Sequence, residues 1–98
     1  MLAALLLLRG RTIDSYVEWG VEVDHGKFHL YCDDQPYSVR IPIKPSTQFI
    51  AHTHPDIGAE YPSKNDINVS KRTGLCDLVV SLRAAYLVHP DGTVEKIK

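Results

Sequence analysis

His52 and His54 stand one residue apart at the end of the run "TQFIAHTH". Ser63 and Asp66 follow, three apart, after a loop broken by Pro55, Gly58 and Pro62. Side chains alternate across an extended strand, so the two histidines point to the same side with their rings a ligand's width apart. Two neutral imidazoles on a rigid element suit a zinc ion. A loop returning beside the strand end would bring Asp66 in as a third ligand and leave a fourth position for water. Three protein ligands plus water is the arrangement of a catalytic rather than a structural zinc.

Each of these residues also has a plainer role. His-x-His on a strand is commonly a surface pair. The spacing S-x-x-D is a capping box, worth about 1 kcal/mol to a helix and needing no further function. The two roles compete for the Asp66 carboxylate, because a side chain folded back onto its cap is expected not to hold a metal as well. Spacing alone leaves that choice open. Among the other polar residues, His25 falls in a turn facing solvent, His29 on a strand surface, and His89 beside a turn. Asp56 and Glu60 read as solvated loop charges, with Glu60 the one placed to approach a metal. Lys71 and Arg72 suit the negative end of a helix.

The elements that must position these residues are mostly strands. "SYVEWGVEVDHGKFHLYC" alternates and turns at Asp24-His25-Gly26-Lys27, a hairpin in which Gly26 supplies a positive φ. On its first arm Glu18, Gly20 and Glu22 share one face, and Val17, Trp19, Val21 and Val23 share the other, with Trp19 in the core. "YSVRIPI" continues as a strand, which Pro42 places near an edge or its end. "TQFIAHTH" is the next strand, buried on both faces and ended by Pro55. "SKNDINVSKRTG" is a helix with Ser63 at the N-cap and Gly74 at the stop. "CDLVVSL" and "AAYLVHPDGTVEKIK" supply further strands, the last pair folding at Pro90-Asp91-Gly92. The fold class is mixed α+β with one main sheet.

The apolar start, Leu2–Leu8, reads as a short buried helix stopped by Gly10. The eight apolar residues Met1–Leu8 are too few to span a bilayer, and the arginines Arg9 and Arg11 follow the run rather than precede it as in a secretory signal. Such a helix also fits the cut edge of a longer chain. Ninety-eight residues make one domain, residues 1–98, with 44% hydrophobic and 23% charged residues. A net charge of −1 gives no reason to expect nucleic acid or an anionic membrane as partner. Cys32 and Cys76 do not make a disulfide framework, although one bridge between them stays open. The expected compartment is the cytoplasm, with a secreted effector as the alternative.

"HTHP…YPSKND" resembles the JAMM (JAB1/MPN/Mov34) metalloprotease motif, H-x-H-P followed by a loop and P-S-x-x-D. The resemblance covers Glu18 to about Asp66 closely and the rest loosely, through the leading helix and the late "VHPDGTV" hairpin. One departure is visible: eleven residues separate His54 from Asp66, one more than is usual in the family. The resemblance implies a JAB/MPN-like, cytidine-deaminase-like fold, with a mostly antiparallel or mixed central sheet flanked by helices. It implies zinc on His52, His54 and Asp66, and Ser63 as the group that stabilises a developing oxyanion. It also implies an upstream glutamate as general base; "VEWGVEV" offers Glu18, because Gly20 follows it, with Glu22 as the alternative. Zinc would then lower the pKa of its water toward ~7, and Glu18 would take the proton and pass it to the departing amine.

The implied activity is hydrolysis of peptide or isopeptide bonds. The implied substrate is a polypeptide or a ubiquitin-like or sulfur-carrier conjugate, and a compact prokaryotic JAB-type domain fits the short chain best. No covalent intermediate is required, so the cysteines carry no role. Rival expectations are a non-catalytic MPN-type scaffold that binds partners, an effector or phage-tail module, and a domain whose histidines are incidental and which takes up no zinc.

Overall fold

The computed structural model describes Leu8 and residues 17–35, 39–54, 61–81 and 83–97. Six strands among these form one sheet: β1 (Trp19–Asp24), β2 (Lys27–Cys32), β3 (Thr47–Thr53), β4 (Asp77–Val80), β5 (Ala85–Val88) and β6 (Val94–Lys96). Their order is β2-β1-β3-β4-β5-β6. Every pairing is antiparallel except β3 with β4, which is parallel. A parallel pair needs a crossover, and helix α1 (Lys64–Thr73) lies within it. The expected mixed α+β class with one mixed sheet is present. Helices on several sides are not: among the described residues α1 is the one complete helix, with Leu8 a lone helical residue. The rest of the expected Leu2–Leu8 helix lies outside the described residues. No helix among the described residues is long and apolar enough to cross a membrane.

Residues opposite one another in a ladder share a face, so the register separates the two sides of the sheet. Val21 pairs with Ala51, Ala51 with Leu78, and Leu78 with Leu87, and this face carries the core. Leu8 joins it, fully buried with Val21, Ala51, Leu78, Val80 and Ala85, and Trp19, Val23 and Phe49 pack at its margin. Burying one such leucine is worth about 1.5–3 kcal/mol. The other face carries Gly20 opposite His52 and His52 opposite Val79. Helix α1 covers this second face. Tyr61, just before its cap, meets Tyr86 of β5 edge-on at 5.1 Å, and the Lys71 stem lies where a side chain at Gly92 would project.

The β1–β2 hairpin turns at the expected place, but two residues there take positive φ, His25 at 51° and Gly26 at 74°. A two-residue turn that matches strand twist requires both centres to be left-handed. His25 also holds its Nδ1 2.8 Å from Asp24 Oδ1.

The expected strand over "YSVRIPI" is absent from the described part of that stretch: residues 39–44 carry no ladder. β1 already has β2 and β3 on its two edges, and Pro42 has no N–H to offer. The apolar alternation has another cause. Val39 and Ile41 lie over Gly20, where an added Cβ would stand 2.7 Å from Ile41 Cγ1 and 3.2 Å from Val39 Cγ1. The segment crosses the sheet face instead of joining its edge, tied down by Arg40, whose N–H donates to Asp33 Oδ2 at 2.8 Å.

Candidate metal centre

β3 is central, so its backbone is held on both sides, and His52 within it is only 6% exposed. His54 follows the last ladder residue, and its N–H donates to Val80 O at 2.8 Å, which prolongs the parallel pairing by one residue. The two rings therefore start from rigid backbone on one face, with centroids 5.0 Å apart and planes tilted by 58°. Their Nε2 atoms approach to 3.2 Å.

Asp66 arrives from the first turn of α1. Ser63 is the N-cap, with its Oγ accepting from the Asp66 N–H at 3.1 Å and its own N–H donating to Asp66 Oδ2 at 2.8 Å. The capping box is thus complete, yet the same carboxylate faces the histidines. Oδ1 lies 3.2 Å from His52 Nε2 and Oδ2 lies 3.3 Å from His54 Nε2. Folding back onto the cap does not keep the carboxylate from the histidines, because it has two oxygens with about four lone-pair directions. The cap is what aims Asp66 at the histidines. The additional loop residue before Asp66 leaves this approach intact; Asp56 and Glu60 lie outside the described residues.

The distances can be compared with what a metal requires. Ligand atoms at ~2.0–2.1 Å in tetrahedral array are separated by about 3.3 Å along each edge. The Nε2–Nε2 distance of 3.2 Å matches that spacing, and each Nε2 has one Asp66 oxygen at a comparable distance, Oδ1 at 3.2 Å from His52 and Oδ2 at 3.3 Å from His54. His52, His54 and Asp66 form a group able to hold a metal ion. Hydrogen bonds can span the same gaps in a metal-free protein, with a proton taking part of the cation's place. Burial would lower the pKa of His52, but the Asp77 charge and hydrogen bonds to Asp66 and Asp77 outweigh it, leaving it well above the usual histidine value. Burial would likewise raise Asp66, but hydrogen bonds from His52 and His54 hold it far below the usual carboxylate range.

The two candidate bases separate cleanly. Glu18 is 8% exposed and sits just before β1. Its own N–H donates to Gln35 O at 2.8 Å, and the next N–H, that of Trp19, donates to Thr53 Oγ1 at 2.8 Å. Thr53, the residue between the two histidines, therefore ties the backbone beside Glu18 to the histidine strand. Burial raises the Glu18 pKa, opposed by the positive charge of His52 and His54 and assisted by Asp66 and Asp77. Glu22 is engaged elsewhere. Its Oε2 accepts from Thr47 Oγ1 at 2.5 Å and its Oε1 lies 3.4 Å from Lys44 Nζ.

Glu22, Asp24 and His29 form a second cluster with metal-compatible spacing. Lys44 Nζ stands 3.4 Å from Glu22 and 2.9 Å from Asp24, so an ammonium already supplies the positive charge there. His29, opposite Glu22 in the β1–β2 ladder, is half-buried beside this cluster rather than on an open strand surface. His89 is occupied by Glu95, 3.0 Å from its Nε2. Both cysteines are free thiols, so the open bridge does not form.

The residue that sequence reasoning missed is Asp77, whose Oδ1 lies 3.1 Å from His52 Nδ1. It is 2% exposed at the start of β4. A charged residue opening an otherwise apolar strand, "DLVV", was the available signal. No protein-family model matches the chain, and no curated protein matches it significantly.

Proposed function

We propose that the chain is a JAMM-like zinc hydrolase of peptide or isopeptide bonds, with His52, His54 and Asp66 as metal ligands. The observation that carries this reading is the convergence of His52 Nε2, His54 Nε2 and the Asp66 carboxylate: the two Nε2 atoms are 3.2 Å apart, the ligand spacing of tetrahedral zinc, and each faces one Asp66 oxygen at 3.2–3.3 Å. A zinc ion bound there would supply Lewis acidity and activate a water at neutral pH. Glu18 is the general base: buried, with its pKa raised by that burial, its own N–H donating to Gln35 O and the next N–H donating to the Thr53 hydroxyl of the histidine strand. A base with a raised pKa can take a proton and later return it to the leaving amine. The Ser63 hydroxyl accepts from the Asp66 N–H, which leaves its own proton available for a carbonyl oxygen. The substrate class that fits this chemistry is a polypeptide or a ubiquitin-like or sulfur-carrier conjugate, with neither nucleic acid nor membrane required.

The test is zinc content by elemental analysis of untagged protein, for wild type and for His52→Ala/His54→Ala. About one zinc per chain in wild type and none in the double variant is the expected result. A peptide and isopeptide substrate screen on the zinc-loaded protein follows. Absence of zinc from wild type, even after incubation with excess metal, would remove the hydrolase reading.

A further inference from the structure

His52 presents two ring nitrogens to two different neighbours. Nε2 faces His54 and Asp66 at 3.2 Å each, and Nδ1 lies 3.1 Å from Asp77 Oδ1. Asp77 is directly opposite Ile50 in the parallel β3–β4 ladder, while Val79 is opposite His52. Its side chain therefore emerges on the histidine face, one pleat away from His52. The strand start that carries it is anchored, because the Ile50 N–H donates to Cys76 O at 3.2 Å. The Asp77 side chain is only 3% exposed, so little water competes for the contact.

We infer that Asp77 is a positioning residue for metal binding: its carboxylate accepts the His52 Nδ1–H, fixes the tautomer whose Nε2 bears the lone pair, and holds the ring toward His54 and Asp66. A carboxylate can only accept, so the proton at this contact belongs to Nδ1. A neutral imidazole with its proton on Nδ1 has Nε2 free to ligate. Without the acceptor, the ring can turn or place its proton on Nε2, and either change removes a ligand atom. Carboxylates in this position also make the imidazole a more basic ligand. The inference rests on the metal reading above and adds a residue that neither donates to the metal nor belongs to the H-x-H…S-x-x-D pattern.

The experiment measures zinc affinity by competition with a chromophoric chelator for wild type, Asp77→Asn and Asp77→Leu, with urea unfolding of each metal-free protein alongside. Asn keeps an oxygen that can accept Nδ1–H but loses the charge; Leu keeps comparable bulk and removes the acceptor. Expected losses run from about 10-fold for Asn toward about 100-fold for Leu. Should Asp77→Leu fail to fold, Asp77→Asn and wild type still decide. In zinc-loaded wild type labelled with 15N-histidine, His52 should show a protonated Nδ1 and an unprotonated Nε2. Two results overturn the role of Asp77 while leaving the metal site standing: unchanged zinc affinity in folded variants, whatever their stability, or the opposite tautomer at His52. Failure of wild type itself to bind zinc overturns the metal reading and this inference together.

Discussion

Ser63→Ala separates three roles that meet in one residue: capping α1, aiming Asp66 and stabilising an oxyanion. The side chain caps α1 by accepting the Asp66 N–H, and its loss should cost about 1 kcal/mol, within a range of about 0.5–2. For a domain of this size that corresponds to a fall in Tm of about 4–8 °C. The other half of the capping box survives, because the donor to Asp66 Oδ2 is the Ser63 backbone N–H at 2.8 Å, which alanine retains. Asp66 should therefore stay aimed at His52 and His54, and zinc affinity should be essentially unchanged. If the hydroxyl also stabilises the oxyanion, kcat should fall by about 10²–10³, equivalent to about 2.7–4 kcal/mol. The assays are thermal unfolding, chelator competition and turnover of the best substrate from the screen. A fall in stability with full activity would leave Ser63 as a cap alone. A parallel fall in zinc affinity would refute the reasoning, since it would mean that the hydroxyl, not the backbone N–H, aims the carboxylate.

Glu18→Gln should keep zinc and fold but lose about 10²–10⁴ in kcat, whereas Glu22→Gln should keep activity and lose about 1–3 kcal/mol of stability through its contacts with Lys44 and Thr47; the reverse pattern would reassign the base. Leu8→Ala should cost about 2–5 kcal/mol in urea unfolding, because Leu8 is fully buried against Val21, Leu78 and Ala85; a loss under 1 kcal/mol would show that this contact does not support the domain. The hydrogen bond to Lys44 is the main cause that holds Asp24 below its ordinary pKa, and the same bond chiefly raises Lys44. A depressed acid contributes stability that is present above its unfolded pKa and lost as pH falls through the folded one. A raised lysine contributes stability that is present below its unfolded pKa and lost as pH rises through the folded one. Lys44→Met should therefore lower stability at neutral pH and flatten both the acid and the alkaline limbs; limbs of unchanged slope would show that the pair contributes nothing.

Much of the frame was legible locally. Alternation over "EWGVEVD" and the turn at His25-Gly26 define a hairpin, because period-2 burial and left-handed turn centres are properties of a few adjacent residues. The same holds for α1, where Ser63, Asp66 and Gly74 mark both ends. "VRIPI" was misleading because alternation reports burial of every second residue and not what buries it. Val39 and Ile41 are covered by packing onto Gly20, with no ladder involved. His29 misled for a related reason: it alternates like a surface residue, but its cross-strand neighbour is the buried Glu22.

The sequence by itself determined which groups are available for chemistry and on which element each sits. It placed His52 and His54 on one face of a strand, Asp66 at the third position of a helix, and Glu18 one strand-face with Gly20. Those are consequences of chain geometry over a few residues. Only the tertiary structure decided how the groups meet. Whether Asp66 serves the cap or the histidines depended on where α1 docks against β3, and the answer is both, one carboxylate bridging the two. That Glu22 is engaged, which leaves Glu18 as the base we propose, depended on Lys44 and Thr47, residues more than twenty positions away. Asp77 reached His52 through a parallel ladder joining strands 25 residues apart in sequence. Such contacts carry no local signature, because what selects them is the register of the sheet and the burial of charge within it.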